Sequence, residues 1–206
     1  MKTLIFPVLL GLFILSAGCG DRDNIKGLDV SGYVLEYGTL DPIEGARVYL
    51  VGGSAGGVSG PNWNLVDTFI TGPDGKYAFR RSEEPVIVAL YVYADQYYDI
   101  IEKAVKFPEK KQEIDIVMDP YAWIKLHIKN TNPHDINDLL SFSGEWGGGS
   151  LPDYYGMNVD LYYLQKVYGN RFIDIYWGVT KNDNFNFSQD SIFAIAHDTV
   201  TFELFY

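Results

Sequence analysis

Hydrophobic and polar residues alternate along much of the chain after residue 27, which is the period of a β-strand. In the segment RVYL, this alternation predicts Val48 and Leu50 in the core. In QEIDIVMD, the same spacing predicts that Ile114, Ile116 and Met118 face inward. Clusters of Gly, Pro, Asn and Asp interrupt these segments about every eight to twelve residues. Short strands with turns at this spacing predict an all-β protein made of β-sandwiches.

Other segments of the first half predict further strands and turns. LDVSGYVLEY is predicted to place Val30, Tyr33 and Leu35 near one face, and PVIVALYVYA is apolar throughout, as in a strand covered on both faces. LVDTFIT and KYAFR flank the turn GPDG and predict a β-hairpin. The glycine-rich segment 52–64 is predicted to be a loop inserted between strands, and its role stays open. The one helical candidate is a single turn in DINDLLSF, capped by Asp135.

Pro120 marks a predicted boundary, because a new alternation begins directly after it. In YAWIKLHIKN, the first inward residue is Trp123 or Ile124, and leucine and isoleucine follow at every second position. No motif recurs between the two halves. The sequence therefore predicts two tandem and unrelated β-sandwich domains, residues 28–119 and residues 120–206.

The first 27 residues have the composition of an export signal followed by a tether. Residues 1–18 combine Lys2, an apolar run too short for a membrane span, and small residues at the end, as in a secretory signal peptide. SAGC, which ends in Cys19, resembles the lipobox of bacterial lipoproteins, although Ser16 stands where leucine is preferred. The resemblance implies a lipid on the sulfur and a fatty acid such as palmitate on the nitrogen of Cys19, with residues 19–27 as the tether. A plain secreted protein and an uncleaved anchor are the alternatives.

Lipidation would hold the protein at a membrane, because each acyl methylene buried in a bilayer contributes about 0.8 kcal/mol. Asp21 and Asp23 follow the cysteine, and acidic residues at this place resemble a signal for display on the outer face of the outer membrane. The predicted location is therefore the cell envelope, with a lipid anchor in the outer membrane. Exposure at the cell surface stays open.

Four segments of the first domain, VSGYV, PIEGARVYL, TFITGPDGKYAF and EIDIVMD, together resemble the carboxypeptidase regulatory-like domain. This resemblance covers residues 28–119 and implies a transthyretin-like (prealbumin-like) sandwich of seven strands. It implies a turn at Gly45, a hairpin at Asp74-Gly75, and core positions for Tyr77 and Phe79. In related proteins this domain is a spacer or an interaction unit. The insertion at 52–64 departs from the short form of the family.

The charge and the motifs argue against several classes of function. The formal net charge of −11 makes nucleic acid an unfavourable partner. Cys19 is the only cysteine, so no intramolecular disulfide forms. His127, His134 and His197 lack the spacing of a zinc site, and no nucleophile elbow, phosphate loop or dinucleotide fingerprint occurs. We therefore predict no catalytic residue, no metal and no cofactor, and the protein is not predicted to be an enzyme.

Loop aromatic residues are the predicted ligand-binding candidates. Trp146, Tyr154 and Tyr155 lie in the segment GEWGGGSLPDYYG beside acidic residues, and Trp63 lies between two asparagines in the glycine-rich segment. Rings with adjacent carboxylates are typical of modules that hold sugars. The alternative is that these rings pack over the ends of the sandwiches.

These observations predict a lipid-anchored envelope protein that acts as a non-enzymatic binding or interaction module. Its partners would be the membrane, through lipidated Cys19, and an unknown envelope protein or a glycan. The alternative function is a glycan-binding accessory component of a polysaccharide-handling complex. A hydrolase with an unrecognised site is a third and weaker alternative.

Overall fold

The computed structural model describes residues 28–54, 62–81, 87–105, 112–143 and 151–206. Every regular element within these ranges is a β-strand, which confirms the all-β prediction. The described residues contain no helix with the length and apolar character needed to cross a membrane. The predicted lipidation site Cys19 and the predicted signal peptide, residues 1–18, lie outside the described residues.

The single predicted helical turn in DINDLLSF is wrong, because this segment forms a turn and then enters a strand. The side chain of Asp135 accepts a hydrogen bond from the backbone N–H of Asn137 at 2.7 Å. The side chain of Asp138 accepts hydrogen bonds from the backbone N–H groups of His134 at 2.8 Å and Asp135 at 3.2 Å. Such bonds from aspartate to nearby backbone groups compete with helix formation.

The N-terminal sandwich consists of eight strands whose two sheets enclose one core. These strands are β1 (Leu28–Glu36), β2 (Arg47–Ser54), β3 (Asn62–Ile70), β4 (Lys76–Arg81), β5 (Ile87–Tyr93), β6 (Ile100–Val105), β7 (Gln112–Glu113) and β8 (Ile116–Met118). One sheet has the order β4-β1-β7, with β8 also paired to β1, and the other has the order β3-β2-β5-β6. Val48, Leu50, Ile116 and Met118 are buried in the core as predicted, and Ile114 packs against it.

The predicted orientation of β1 is wrong for Tyr33 and Leu35. Leu28, Val30 and Val34 are the buried apolar residues of the strand, whereas Tyr33 is 40% exposed. These inward positions continue through Gly32, whose missing side chain leaves room for the backbone carbonyl of Ile114. A glycine at an inward position removes one apolar residue from the pattern, so the alternation in the sequence is misread by one residue.

The predicted hairpin between LVDTFIT and KYAFR is also wrong, because β3 pairs with β2 whereas β4 pairs with β1 in the other sheet. The connection crosses between the sheets and is held by Thr71. Its hydroxyl donates to the carbonyl of Ile43 at 2.6 Å and accepts the N–H of Ala46 at 2.9 Å. Gly75 turns the chain with a φ of 67°. Turn residues encode a change of direction, and they do not encode which strand becomes the neighbour.

The predicted loop at 52–64 is shorter than expected. Gly52, Gly53 and Ser54 extend β2 and pair with residues 62–64 of β3, so only residues 55–61 lie outside the description. Gly52 and Gly53 also pair with β5 on the other side. Pairing on both edges explains why a glycine-rich sequence remains in a strand here.

The C-terminal sandwich consists of seven strands around a second core. These strands are β9 (Tyr121–Lys129), β10 (Leu139–Ser143), β11 (Tyr154–Tyr155), β12 (Asp160–Tyr168), β13 (Arg171–Lys181), β14 (Asn184–Ala194) and β15 (Thr199–Phe205). One sheet has the order β12-β9-β15, and the other has the order β11-β10-β13-β14. Of the two predicted inward residues, Ile124 is fully buried and Trp123 is half-buried. Like Ile124, Leu126 and Ile128 are buried in the core.

The two sandwiches meet at a joint around the carboxylate of Glu36, which is only 9% exposed. This carboxylate accepts hydrogen bonds from the Tyr97 hydroxyl at 2.7 Å, Asn170 Nδ2 at 2.9 Å and His197 Nε2 at 2.9 Å. Tyr97 belongs to the N-terminal sandwich, whereas Asn170 and His197 lie in turns of the C-terminal one. One buried carboxylate therefore ties together three segments that are far apart in sequence.

A second contact at the joint involves Arg171, the first residue of β13. Its guanidinium donates a hydrogen bond to the carboxylate of Asp119 and lies 4.1 Å from the ring centre of Tyr37. Strand β13 therefore begins at the joint, and its eleven residues extend about 35 Å away from it at about 3.3 Å per residue. The sheet built on β13 is thus positioned by the joint.

Candidate functional site

The outer surface of the sheet β11-β10-β13-β14 carries six aromatic side chains, which we call the aromatic face. Residues at alternate positions of β13 and β14 point away from the core, because Ile173, Ile175 and Trp177 of β13 point into it. The aromatic face consists of Tyr155, Phe172, Tyr176, Phe185, Phe187 and Phe193. Five of these residues are among the most exposed apolar residues of the chain, with exposed fractions of 43–69%.

Four of the rings form two pairs along β13 and β14, one near the joint and one at the middle of β13. Near the joint, Phe172 and Phe193 are directly opposite each other and pack edge to face, with ring centres 5.3 Å apart. Farther along, Tyr176 and Phe187 stack with ring centres 6.2 Å apart and planes within 16°. Since Phe172 and Tyr176 are four residues apart on one strand, the two groups are separated by about 13 Å.

Phe185 lies flat on the sheet because its neighbour Gly178 has no side chain. A Cβ atom added to Gly178 would overlap the Phe185 ring. Tyr155 belongs to the same cross-strand row, in which Tyr155, Leu139, Thr180 and Phe185 follow one another across four strands. Three strand spacings of about 4.8 Å separate Tyr155 from Phe185 by about 14 Å. The far end of the aromatic face is therefore broad and carries rings at both sides.

A polar depression lies between the two groups of rings. It has a volume of about 290 Å³, and it is lined by Asp174, Tyr176, Gln189, Asp190 and Ser191. The carboxylate of Asp174 accepts hydrogen bonds, the glutamine amide donates and accepts them, and the serine hydroxyl does both. The carboxylate of Asp190, which is opposite Ile175 in the strand register, accepts the backbone N–H of Ser191 at 2.7 Å. The aromatic face thus alternates along its length between apolar rings and hydrogen-bonding groups.

The four candidate aromatic residues predicted from the sequence are placed differently from one another. Tyr155 is 65% exposed and joins the aromatic face. Tyr154 points to the other side of the sheet and packs against Phe142 in the core, with ring centres 6.3 Å apart. The backbone of Trp63 lies in β3 opposite Gly53, but its side chain is outside the described part. Trp146 lies entirely outside the described residues.

Sequence reasoning missed the five aromatic residues on β13 and β14. The signal was present in NFNFSQDSIF, where Phe185 and Phe187 alternate with asparagine. This alternation identifies a strand, but the aromatic residues are normally assigned to the core side. Here β14 pairs with β13 along its whole length and with no other described strand, so it is an edge strand. Most of its side chains, on both faces of the sheet, are exposed.

The opposite sheet of the C-terminal sandwich carries a charged cluster centred on His127. Its Nδ1 lies 2.6 Å from a carboxylate oxygen of Glu203, and its Nε2 lies 2.9 Å from one of Asp160. The Asp160 carboxylate also accepts a hydrogen bond from Lys129 at 2.7 Å. The hydrogen bonds to Asp160 and Glu203 raise the pKa of His127 above 6.5. Both ring nitrogens are engaged by carboxylates, which is the arrangement of a structural ion pair across three strands.

His134, Asp135 and Asp138 bring three metal-ligand atoms within 4.8 Å of one another. Asp138 is fully buried, and its oxygens accept hydrogen bonds from Asn130 Nδ2 at 2.9 Å and from the backbone of His134 and Asp135. Burial raises the pKa of Asp138, but these hydrogen bonds outweigh it and hold the pKa below 3.8. The carboxylate is therefore occupied in closing the turn, and we assign the cluster a structural role.

The N-terminal sandwich has a groove of about 400 Å³ beside β1 and β4. Its lining includes Tyr33, Phe69, Lys76 and Asp115. The carboxylate of Asp115 accepts the backbone N–H of Tyr33 at 3.0 Å, and the ammonium of Lys76 lies 5.6 Å from the centre of the Tyr33 ring. These polar groups of the groove are thus engaged with one another.

No protein-family model and no curated protein matches the chain. Among solved structures, the chain is similar to the Bacillus anthracis TIE protein, with 9% identity and a TM-score of 0.37 over 86% of this chain and 33% of that one. It is also similar to a streptococcal ancillary pilin, with 14% identity and a TM-score of 0.35 over 88% of this chain and 63% of the pilin. The chain therefore spans less than two thirds of either of these two proteins.

A third similar structure is a DUF3823 family protein from Parabacteroides merdae, with 11% identity and a TM-score of 0.32 over 84% of this chain and 100% of that one. Similarity at such TM-scores does not establish a shared function. The resemblance of residues 28–119 to the carboxypeptidase regulatory-like domain stays a prediction.

Proposed function

We propose that this protein is a non-enzymatic binding module of the cell envelope, anchored to the outer membrane through lipidated Cys19. The observation that carries the proposal is the aromatic face, in which exposed rings flank a polar depression on a sheet of the C-terminal sandwich. Exposed apolar patches on soluble proteins are typical of sites for ligands or partners, because water contact with such surface is unfavourable.

The order of the parts along the chain supports this function. The predicted tether, residues 19–27, begins at the predicted lipidation site Cys19. The N-terminal sandwich comes next, and the joint at Glu36 holds the C-terminal sandwich. The aromatic face is therefore separated from the anchor by one folded sandwich, which is the arrangement expected of a spacer and a binding domain. Partnership with an envelope protein and partnership with a glycan are both compatible with this arrangement.

The titratable groups of the described residues favour a binding role over catalysis. The groups with shifted pKa values at Glu36, His127 and Asp138 lie at the joint, on a flat sheet surface and in a closed turn, respectively. Active sites usually collect such groups in one cleft. Here each group is engaged in hydrogen bonds that hold segments of the fold together.

The anchor is tested by mass spectrometry of the native protein purified from its own membranes. The expected result is an N-terminal peptide that begins at Cys19 and carries acyl chains, together with release of a Cys19→Ser variant from the membrane fraction. An Asp21→Asn variant is the control, because it changes the tether and leaves the cysteine in place. An unmodified Cys19, or a leader that is still attached, would overturn the anchored module.

A further inference from the structure

The aromatic face combines two kinds of surface that rarely occur together in one protein–protein contact. Apolar rings form its two ends, and Asp174, Gln189 and Ser191 line the polar depression between them. The separation of about 13 Å between Phe172 and Tyr176 requires a ligand that is extended and amphipathic along its length. It must offer apolar surface to both ring groups and hydrogen-bonding groups to the centre.

A protein partner fits this surface poorly. The cores of protein interfaces are depleted of charged residues, because a carboxylate loses its hydration when it is covered. The carboxylate of Asp174 lies between the two ring groups, so a partner protein that covered both groups would also cover this carboxylate. Nucleic acid is disfavoured by the same carboxylate and by the net charge of −11.

A sugar chain fits each part of the surface. One face of a pyranose ring presents C–H groups, which pack on the electron-rich face of an aromatic ring. Its hydroxyl groups can donate to Asp174 and exchange hydrogen bonds with Gln189 and Ser191. The flat position of Phe185 over Gly178 adds a ring surface at the far end. The Asp174 carboxylate would repel an acidic sugar, so the ligand is uncharged.

We propose that the aromatic face is a binding site for an extended, uncharged polysaccharide. Phe172 and Phe193 hold one end of the bound segment, Tyr176 and Phe187 hold the other, and Asp174 selects hydroxyl groups between them. This inference rests on the proposed function as a binding module, and it names the class of ligand and the residues that bind it.

The test uses the purified full-length protein in detergent and affinity electrophoresis in gels that contain one soluble polysaccharide each. The probes are mixed-linkage β-glucan, xyloglucan, amylopectin and, as the acidic probe, polygalacturonate. We expect retardation by at least one uncharged probe and none by polygalacturonate. Phe187→Ala and Asp174→Ala should each weaken the binding about tenfold, because each removes one part of the alternating surface.

Phe205→Ala is the matched control, because Phe205 is 54% exposed and Phe187 is 56% exposed, but Phe205 lies on the opposite sheet. A Gly178→Ala variant moves the Phe185 ring without removing any aromatic residue and should also weaken binding. Near-UV circular dichroism and the melting temperature establish that each variant is folded.

Three results would overturn the glycan site: no retardation by any uncharged probe, retardation only by polygalacturonate, or equal losses for Phe187→Ala and Phe205→Ala. These outcomes are separate from the anchor test. A lipidated protein that binds none of the probes would overturn the glycan site. The anchored module would then remain, with a protein as its partner. A protein that binds a glucan but lacks the lipid would support the glycan site and would overturn the lipid anchor.

Discussion

Replacement of Glu36 by glutamine tests whether one carboxylate holds the two sandwiches together. The carboxylate accepts three hydrogen bonds of 2.7–2.9 Å, from Tyr97, Asn170 and His197, and a longer one of 3.3 Å from the Thr39 hydroxyl. Glutamine has the same shape, but one oxygen becomes an NH₂ group that cannot accept, and the negative charge is lost. At least one hydrogen bond is therefore broken and the others become neutral ones.

The expected loss of stability follows from these contacts. A hydrogen bond to a charged group contributes about 1.5–3 kcal/mol, and a neutral one contributes about 1 kcal/mol. One broken bond and two weakened bonds together give a loss of stability of about 2–4 kcal/mol. This figure includes a reduction for the partial exposure of His197. For a chain of this size, each kcal/mol lowers the melting temperature by about 2–4 °C. Glu36→Gln should therefore lower it by about 4–16 °C.

The assay is thermal unfolding followed by tryptophan fluorescence and circular dichroism, with Glu44→Gln as the matched control. Glu44 lies in an exposed turn of the same sandwich, so its replacement makes the same chemical change without loss of a buried contact. Glu36→Gln and Asn170→Ala should be non-additive in combination, because both act on the hydrogen bond between residues 36 and 170. Equal and small effects of Glu36→Gln and Glu44→Gln on the melting temperature would refute the claim that the Glu36 carboxylate holds the two sandwiches together.

The pH dependence gives an independent check on the same residue. Burial raises the pKa of Glu36, but the hydrogen bonds from His197, Tyr97 and Asn170 outweigh it and hold the pKa below 4.5. Because the pKa of Glu36 is depressed in the folded state, the charged carboxylate contributes its full stabilisation at pH values above the unfolded-state pKa. This contribution is lost as the pH falls through the folded-state pKa. The difference in melting temperature between the natural protein and Glu36→Gln should therefore shrink below about pH 4.5.

Three further predictions concern the cores and the charged cluster. Gly32→Ala should destabilise the N-terminal sandwich by about 2 kcal/mol, because the new Cβ would overlap the carbonyl of Ile114, whereas Gly72→Ala, with ordinary contacts, should be tolerated in urea unfolding. Asp138→Ala should cost about 3 kcal/mol, since it leaves buried donors without an acceptor, and an unchanged urea midpoint would contradict this. NMR titration of His127 should give a pKa above 6.5, and the stability that its raised pKa contributes should be lost as pH rises through that value.

Much of the strand content is readable from the sequence because side-chain periodicity is a local property. Val48, Leu50, Ile116 and Met118 are buried as the alternation predicts. The predictions were wrong where a local pattern was used to infer which strands are neighbours. The turn GPDG reverses the chain, yet the partner of β4 is β1, which lies about forty residues earlier in the sequence.

The sequence by itself determined that the chain forms strands, where most of them lie, and that Cys19 follows an apolar run. Only the tertiary structure decided which side of β13 and β14 faces the core, because β14 is paired on one edge and its aromatic residues remain on the outer surface. It also decided that Glu36, Tyr97, Asn170 and His197 meet at the joint. These contacts join residues up to 161 positions apart, and no local pattern encodes such distances.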